Sequence, residues 1–532
     1  MIRRVAVRNY RLFREFDLDL LPGVNILVGR NDTGKSTLIE AIALALTGRL
    51  HGRSFEQELC PHLINKDATQ EYVTALKSGG TPTPPAIVIE VYLNDAGAVD
   101  ILRGTNNLSG ENACGIRLQA KLSRDFTEEY ENFISGPESV RLVPTEYYTV
   151  EMLGFSGNRI SSRSVPVDAR VIDASTIRLQ SGVDYHLQQI IRGNLDPKER
   201  VELSRQYRSL REEFSENESV KAINRRLEAT GDELTERRLS LSIDLSQRYT
   251  WEGNLVAHLD DLPFDLIGKG DQNALKTLLA IGQKADDAHV VLIEEPENHL
   301  SFASLRKLIA RIDAKCAGKQ IVIATHSTYV LNKLGIENLV LLGTAEPTRI
   351  TDLPTDTVEF FKKLPGFDTL RLAVAEKAML VEGPSDELIL QRAYHDAHGR
   401  LPIDDGIDVI SVGLSHKRFA ELAIRLGRRV WLVTDNDGKT IEEVKQRFSE
   451  YLSDANVSLH TADDPRLETL ETNLVASNDL SSLNSALGTK HATTEEVLKG
   501  MLADKTGSAL SIFEATTILN MPKYIQDVVG ES

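Results

Sequence analysis

The sequence predicts an α/β protein with at least two hydrophobic cores, on three observations. Short apolar runs stop at a glycine or an acid and pass into stretches with helical spacing, the alternation that builds parallel sheets. A chain of 532 residues far exceeds the roughly 150 of an average domain. Its 41% hydrophobic and 26% charged residues are those of globular protein, which excludes a disordered or collagen-like chain.

Taken in order, residues 1–20 alternate apolar and charged and hold no apolar core of the signal-peptide kind, so 3–7 reads as a strand. Residues 24–28 are an apolar strand ending at Gly29, and Leu38, Ile39, Ile42 and Leu46 place a helix directly behind it. The proline-rich segment 81–85 is a loop, with a strand after it over 86–93. Between 184 and 246 the pattern changes. Leu203, Tyr207, Leu210 and Phe214, then Val220, Ile223 and Leu227, recur every three or four residues within dense charge, which describes long amphipathic helices inserted into the surrounding domain. Such a hairpin fits equally a solvated face packed on the core and a dimerisation arm.

Strands return at 289–293, 320–324 and 339–342. Residues 344–368, with their Pro, Gly and Asp, read as a linker. Beyond it three strands, 377–381, 408–412 and 429–433, each precede a helix, so this part is a parallel sheet. The expected boundaries are 1–183 and 247–345 for the halves of the first domain and 184–246 for the insertion. The linker is 346–372, and 373–532 is the second domain with a C-terminal helical extension.

Lys and Arg number 61 against 78 Asp and Glu, a formal charge of −17. A protein that binds nucleic acid by bulk charge is basic, so DNA contact here needs local patches or bound metal ions. Three widely spaced cysteines, Cys60, Cys114 and Cys316, make neither a disulfide framework nor a Cys-based zinc site and point to a reducing cytosol. No run approaches the roughly 18 apolar residues of a membrane helix, so a cytoplasmic protein without membrane contact is expected.

Gly29, Arg30, Asn31, Asp32, Thr33, Gly34, Lys35 and Ser36 fit G-x-x-x-x-G-K-[ST], after a strand and at the start of a helix. Glycines let backbone N–H groups curl around phosphate oxygens, and the helix N-terminus adds positive potential. An ATP site follows: Lys35 reaches the β- and γ-phosphates, Ser36 ligates Mg²⁺, and Asn31, Gly34 and Thr37 complete the cradle. Such a loop needs a partner strand ending in carboxylates. Residues 290–293 supply it, with Glu294 to hold the Mg²⁺ shell through water and Glu295 to polarise the attacking water. A further apolar strand is followed by His326, by position a γ-phosphate sensor.

Together these segments resemble the ATP-binding-cassette ATPases in their SMC/Rad50/RecF-like branch, over residues 1–345. The resemblance implies a signature motif that contacts ATP across a dimer, matched by Gly268, Lys269, Gly270, Asp271 and Gln272. Lys269 stands where serine is usual and Glu294 where aspartate is usual, and residues 50–100 hold no clear glutamine loop. The family's composite ATP sites imply a homodimer or a higher homo-oligomer.

Acids also end strands in the second domain. Glu382 follows 377–381, Asp435 and Asp437 follow 429–433, and Asp386 lies one helical turn beyond Glu382. In an open parallel sheet, ligands sit outside the carboxyl ends of the strands, so these acids converge on one crevice. Crowded carboxylates repel unless cations neutralise them, and Mg²⁺ or Mn²⁺ are the hard ions that oxygen ligands select. A lone acid after a strand serves as a cap or turn former, whereas two such motifs in this order favour a metal site. A glutamate after one strand and Asp-x-Asp after another resembles the Toprim domain of topoisomerases, primases and certain nucleases.

An ATPase of that kind followed by Toprim resembles the overcoming-lysogenization-defect (OLD) family of nucleases, which includes the nuclease subunit of the Gabija antiphage system. The resemblance spans nearly the full chain. It implies an ATP-regulated, metal-dependent DNA endonuclease or nickase in antiphage defence, with two Mg²⁺ or Mn²⁺ ions in the Toprim site and one with the nucleotide. Glu382 is then ligand and general base, Asp435 and Asp437 hold one ion, and Asp386 with Glu471 holds the other. Lys505 stabilises charge on the pentacovalent phosphate. Glu471 and Lys505 rest on the resemblance alone.

The resemblance implies DNA as a partner, and a chain that acts alone, beside a helicase or beside a reverse transcriptase. His416, Lys417 and Arg418, with Arg425, Arg428 and Arg429, are the basic candidates for the DNA backbone. Two other readings compete. One is a DNA-repair clamp whose Toprim part is a non-catalytic scaffold. The other is a primase- or topoisomerase-like enzyme, which the short chain beyond residue 440 disfavours, since a strand-passage domain with a tyrosine nucleophile needs more room.

Overall fold

The computed structural model describes residues 1–532 apart from 51–52, 96, 137–139, 162–163, 166, 168, 174–178, 181–182, 185–194, 232–240, 242–250, 252–257, 273, 276–288, 316–317, 344–346, 350–353 and 364–366. Contacts divide the chain into two compact units. The first comprises Met1–Val5, Ile39–Ile64 and Glu71–Ile323, the second Ala6–Leu38, Asn65–Gln70 and Ala324–Ser532.

In the first unit Ile87–Leu93, Ala113–Leu122 and Tyr148–Gly154 form an antiparallel sheet with Ala113–Leu122 in the middle. Its apolar residues Ile89, Val91, Ile116 and Leu118 are buried. Glu90 is buried among them and tolerated because Arg117 pairs with it at 2.6 Å while the Tyr92 hydroxyl and the Leu108 N–H donate to it. A second sheet sets Ala169–Asp173 parallel to Val290–Glu294, so that Asp173 stands beside Glu294. Gln320–Ala324 lies next in that sheet, and the Gln320 amide bonds both the N–H and the C=O of Ile2, each at 2.7 Å.

The helices expected in the insertion are Pro197–Ser215 and Glu218–Gly231. The first begins with proline, whose missing N–H costs nothing there, and Glu199 reaches back to accept the Asp196 N–H at 2.9 Å. Of the seven residues that define their apolar stripes, Leu203, Leu210, Phe214 and Ile223 are exposed and Tyr207, Val220 and Leu227 partly so. Except for Leu241, residues 232–246 of the expected insertion lie outside the described residues, as does Cys316.

In the second unit Val24–Val28 pairs in parallel with Leu339–Leu341. Farther along lies an all-parallel sheet in the order Ile407–Ser411, Lys377–Val381, Arg429–Val433, Val457–His460. Its two central strands are nearly continuous apolar runs because both faces are covered. On one face Met379, Val381, Trp431 and Val433 join Ile389, Leu474, Val497, Ile512 and Val528 from the surrounding helices in one core. Against the same two strands packs the helix His416–Arg425.

Two expectations change. The stretch read as a linker carries the helices Thr355–Lys363 and Phe367–Val374, with Val358, Phe361 and Leu372 buried. Pro354 within it marks a helix start: the N–H groups of Thr357 and Val358 both donate to the Pro354 carbonyl. The fourth parallel strand, Val457–His460, was not anticipated, since two of its four residues are polar.

Candidate functional site

The strands Lys377–Val381 and Arg429–Val433 are parallel neighbours, with Leu380 opposite Leu432, so the residues that follow them leave the sheet at the same edge. Glu382 and Asp435 meet there. Glu382 Oε1 accepts the Thr434 hydroxyl at 2.5 Å and the Asp435 N–H at 3.1 Å. Asn436 turns the opposite way and is buried. Its amide donates to the carbonyls of Ala462 and Asp464 at 3.2 and 2.9 Å and accepts the Gly438 N–H at 3.0 Å. This pins the loop to the end of the Val457–His460 strand. Asp437 is exposed, in the left-handed region with φ 50°, and Gly438 follows at φ 75°.

Beyond Glu382 the helix Pro384–His398 starts at once, and Asp386 Oδ2 accepts the Gly383 N–H at 2.9 Å. The capping reading of this acid is therefore true as far as it goes. Burial pushes the Asp386 carboxyl up to about 6, with Glu382 and Glu471 adding to the rise. Asp435 is pushed up to about 8, first by burial and then by Asp386, Glu382 and Glu471, against a lowering by Lys505. Glu382, Asp386, Asp435, Glu471 and Lys505 are thus one electrostatic neighbourhood.

Glu471 is 3% exposed, and its Oε2 accepts no hydrogen bond among the described residues. Lys505 Nζ stands 3.1 Å from that oxygen as an ion pair without hydrogen-bond alignment. An orphaned carboxylate oxygen beside three other acids is a donor set for a hard divalent cation, so the residues present fit Mg²⁺ or Mn²⁺. Among the described residues, however, no three acidic, histidine or cysteine side chains converge on one ion position. Sequence reasoning missed Tyr524. Its side chain is buried in the core beneath these acids, and its hydroxyl is raised well above the usual phenol range by burial and then by Asp435, Asp386, Glu471 and Glu382. It lies 53 residues past Glu471, and no motif marks it.

Of the basic candidates for DNA contact His416 is corrected, while Lys417 and Arg425 are exposed. His416 is 1% exposed, and its Nε2 lies 3.2 and 3.1 Å from the carbonyls of Leu380 and Val433, inside the fold. Arg418 is engaged by Asp356 and the Thr357 hydroxyl, and Arg429 by the carbonyl of Ala455 and the hydroxyl of Ser458. Arg428 is itself partly buried, which lowers its pKa. These side chains knit the C-terminal part together.

In the glycine loop a Cβ at Gly29 would stand 2.4 Å from the Leu342 carbonyl oxygen, and one at Gly34, whose φ is 96°, would strike the Phe13 ring at 2.5 Å. Both positions therefore require glycine. Lys35 is buried, with Nζ donating to the Gly29 and Arg30 carbonyls at 2.9 and 2.8 Å. Ser36 and Asn31 are exposed, Thr37 is buried, and His326 is exposed beyond the strand Gln320–Ala324. These residues belong to the second unit.

The remaining candidates belong to the first unit. Glu294 ends its strand, and Glu295 takes the left-handed region at φ 43° while accepting the Asn298 amide at 2.6 Å. A non-glycine residue held there is strained, as functional positions often are. Gly270 leaves room for the His299 carbonyl, which a Cβ would meet at 2.4 Å. Gln272 is buried and spends its amide on the carbonyls of Phe264 and Ile267 at 2.9 and 3.1 Å. Its place in the fold is that of a loop brace.

Comparison with known proteins bears on both parts. Residues 4–247 match the AAA domain family, and residues 374–437 match the Toprim domain of overcoming-lysogenization-defect-like proteins. An ATP/GTP phosphatase of Helicobacter pylori is 21% identical over 351 residues, 62% of this chain and 85% of that protein. The DNA replication and repair protein RecF of Heliobacterium modesticaldum is 33% identical over 90 residues, and that of Aliivibrio fischeri 26% over 139. Those matches take in 17% and 26% of this chain but only 22% and 36% of the RecF proteins.

Among solved structures, the SMC head bound to the C-winged helix domain of ScpA overlaps at a TM-score of 0.32 and 13% identity, over 66% of this chain and 99% of that one. Among the described residues no helix is long and apolar enough to cross a membrane. With an AAA-type ATPase domain followed by an OLD-like Toprim domain on a parallel sheet, the chain is a member of the overcoming-lysogenization-defect family.

Proposed function

We propose that this protein is an ATP-regulated, divalent-metal-dependent DNA endonuclease or nickase of antiphage defence. One observation carries the reading: Glu382, Asp386, Asp435 and Glu471 press on one another beside Lys505, at the carboxyl edge of a parallel sheet. Bound Mg²⁺ or Mn²⁺, two ions in this proposal, would neutralise the acids and stabilise the attacking and leaving oxygens of an in-line displacement.

The chain's own residues do the rest. Glu382, held by Thr434 and the Asp435 N–H, is oriented as ligand and as the base that takes the proton from water. Asp435 and Asp437 would hold one ion, and Asp386 with Glu471 the other. Lys505 would meet the charge that develops on the phosphate. At the glycine loop Lys35 must leave the Gly29 and Arg30 carbonyls to reach a nucleotide phosphate, with Asn31, Gly34, Ser36, Thr37 and His326 around it. Glu294 and Glu295 would supply the water-directing carboxylates, and the segment at Gly270 the signature contact across a homodimer, with the buried Gln272 bracing it from within. The exposed apolar stripe of the helices Pro197–Ser215 and Glu218–Gly231 supports a self-associating arm.

A second reading, an ATPase clamp on DNA with a non-catalytic Toprim scaffold, is favoured by the lack of three converging ligands among the described residues. Supercoiled plasmid separates the two. With Mn²⁺, the nuclease reading expects nicked or linear product that Asp435→Ala abolishes, and a nucleotide response that Lys35→Ala removes. Plasmid left intact by the wild type at millimolar Mn²⁺, with and without ATP, would sink it.

A further inference from the structure

We infer that Arg392 is a positioning residue for Lys505, holding the lysine at the acid cluster by gripping the far end of its helix. The inference rests on the nuclease reading for its catalytic meaning, though its geometry stands apart from that reading. Lys505 opens the helix Lys505–Glu514, as Asp386 lies in the first turn of Pro384–His398, and the two helices pack together along their length. Their N-terminal ends meet at the acids, where Lys505 stands 3.1 Å from Glu471. The helices therefore run parallel.

Arg392 sits six residues past Asp386, and Ile512 sits seven past Lys505. At 1.5 Å per residue each span is about 10 Å, so a fixed pairing of Arg392 with Ile512 sets the level of Lys505 against Asp386. That pairing exists. Arg392 is 7% exposed, and its Nη1 donates to the carbonyls of Ile512, Phe513 and Ala515 at 2.9, 3.0 and 2.6 Å. Its Nη2 donates to the Thr517 carbonyl at 3.3 Å, and Nε lies 2.8 Å from both oxygens of Asp396.

The last carbonyls of a helix lack partners within it and form its negative pole, so a buried guanidinium there satisfies both needs. The other end is fixed as well. Asp504 accepts the Gly507 N–H at 2.9 Å, and a Cβ on Gly507 would come within 2.1 Å of that carboxylate. A helix clamped at both ends holds its first side chain still. Lysine at 392 would keep the charge and lose the planar fork that reaches several carbonyls at once.

The test compares Arg392→Lys and the milder Asp396→Asn with the full-length wild type. It reads the single-turnover rate constant of plasmid cleavage with Mn²⁺, and the acetylation rate of Lys505 by mass spectrometry. Arg392→Lys is expected to slow the rate constant about tenfold or more, and to add nothing when combined with Lys505→Ala. Lys505 acetylation is expected to quicken about threefold or more as the helix loosens. A mere loss of folded protein would shrink the reaction amplitude and leave the rate constant alone.

Should Arg392→Lys not fold, Asp396→Asn is read in the same way, with a smaller change of the same sign. An unchanged rate constant or an unchanged acetylation rate in a folded variant overturns the inference. If the wild type leaves plasmid intact, the nuclease reading has failed on its own, and acetylation alone decides: quickened, the Arg392–Lys505 link stands, and unchanged, it falls.

Discussion

At the scale of single residues the acid site works against stability. Asp435 is half-buried and flanked by Asp386, Glu382 and Glu471, so its charge is resisted in the fold and accepted freely in the unfolded chain. Asp435→Asn should therefore raise the thermal midpoint in chelator at neutral pH, by the equivalent of about 1 kcal/mol, while abolishing cleavage. Melting curves with EDTA check this, and a lowered midpoint would mean that the carboxylate is structural. His416 gives a pH dependence of known sign. Burial lowers it from 6.5 to about 4. Below pH 6.5 the unfolded state binds a proton that the folded state refuses, so stability falls as pH drops through this window, by about 3 kcal/mol in all. His416→Asn should flatten that fall, and urea titrations of both proteins at pH 7 and pH 5 measure it. Equal losses in the two would place the buried proton elsewhere.

At the scale of elements, Asn436 explains why the residue between two candidate ligands matters. It ties the loop after Arg429–Val433 to the carbonyls of Ala462 and Asp464. Asn436→Ala takes the amide away from the buried Ala462 carbonyl, while the Asp464 carbonyl keeps the Leu467 N–H, and costs about 1–3 kcal/mol. It should also weaken Mn²⁺ binding about tenfold or more, as read by calorimetry, because the loop that carries Asp435 and Asp437 is released. Unchanged affinity would show that these two acids do not bind the metal as a pair. Legibility in the sequence followed the same physics. Lys377–Val381, Arg429–Val433 and Gln320–Ala324 were readable to the residue, because strands covered on both faces are unbroken apolar runs. Val457–His460, half polar at the sheet edge, gave no such run. Glu382, Asp386 and Asp435 were visible because acids directly follow strands. Tyr524 was not, because only packing of the last helix brings it beneath them. His416 looked like part of a basic surface beside Lys417 and Arg418, yet the helix turns it inward and leaves Lys417 exposed.

At the scale of the whole molecule, the proposed cleavage raises the question of how the glycine loop could speak to the acid cluster. Arg30, within the glycine loop, pairs with Glu376, the residue before the strand Lys377–Val381 that leads to Glu382. Lys35 holds the carbonyl of that same Arg30. A bound phosphate that drew Lys35 away would remove a contact from Arg30, and the Arg30–Glu376 pair would then carry the change to the foot of the strand. Both partners of the pair are about half exposed, so it adds little to stability and is suited to being made and broken. Glu376→Gln should accordingly leave cleavage without nucleotide within about twofold of wild type and leave the melting point nearly unchanged. It should remove most of the difference that ATP makes, whichever direction that difference takes. The measurement is the plasmid cleavage rate with and without ATP, in wild type, Glu376→Gln and Lys35→Ala. Loss of the ATP response in Lys35→Ala together with its full retention in Glu376→Gln would show that nucleotide is sensed at the loop but signalled by another route.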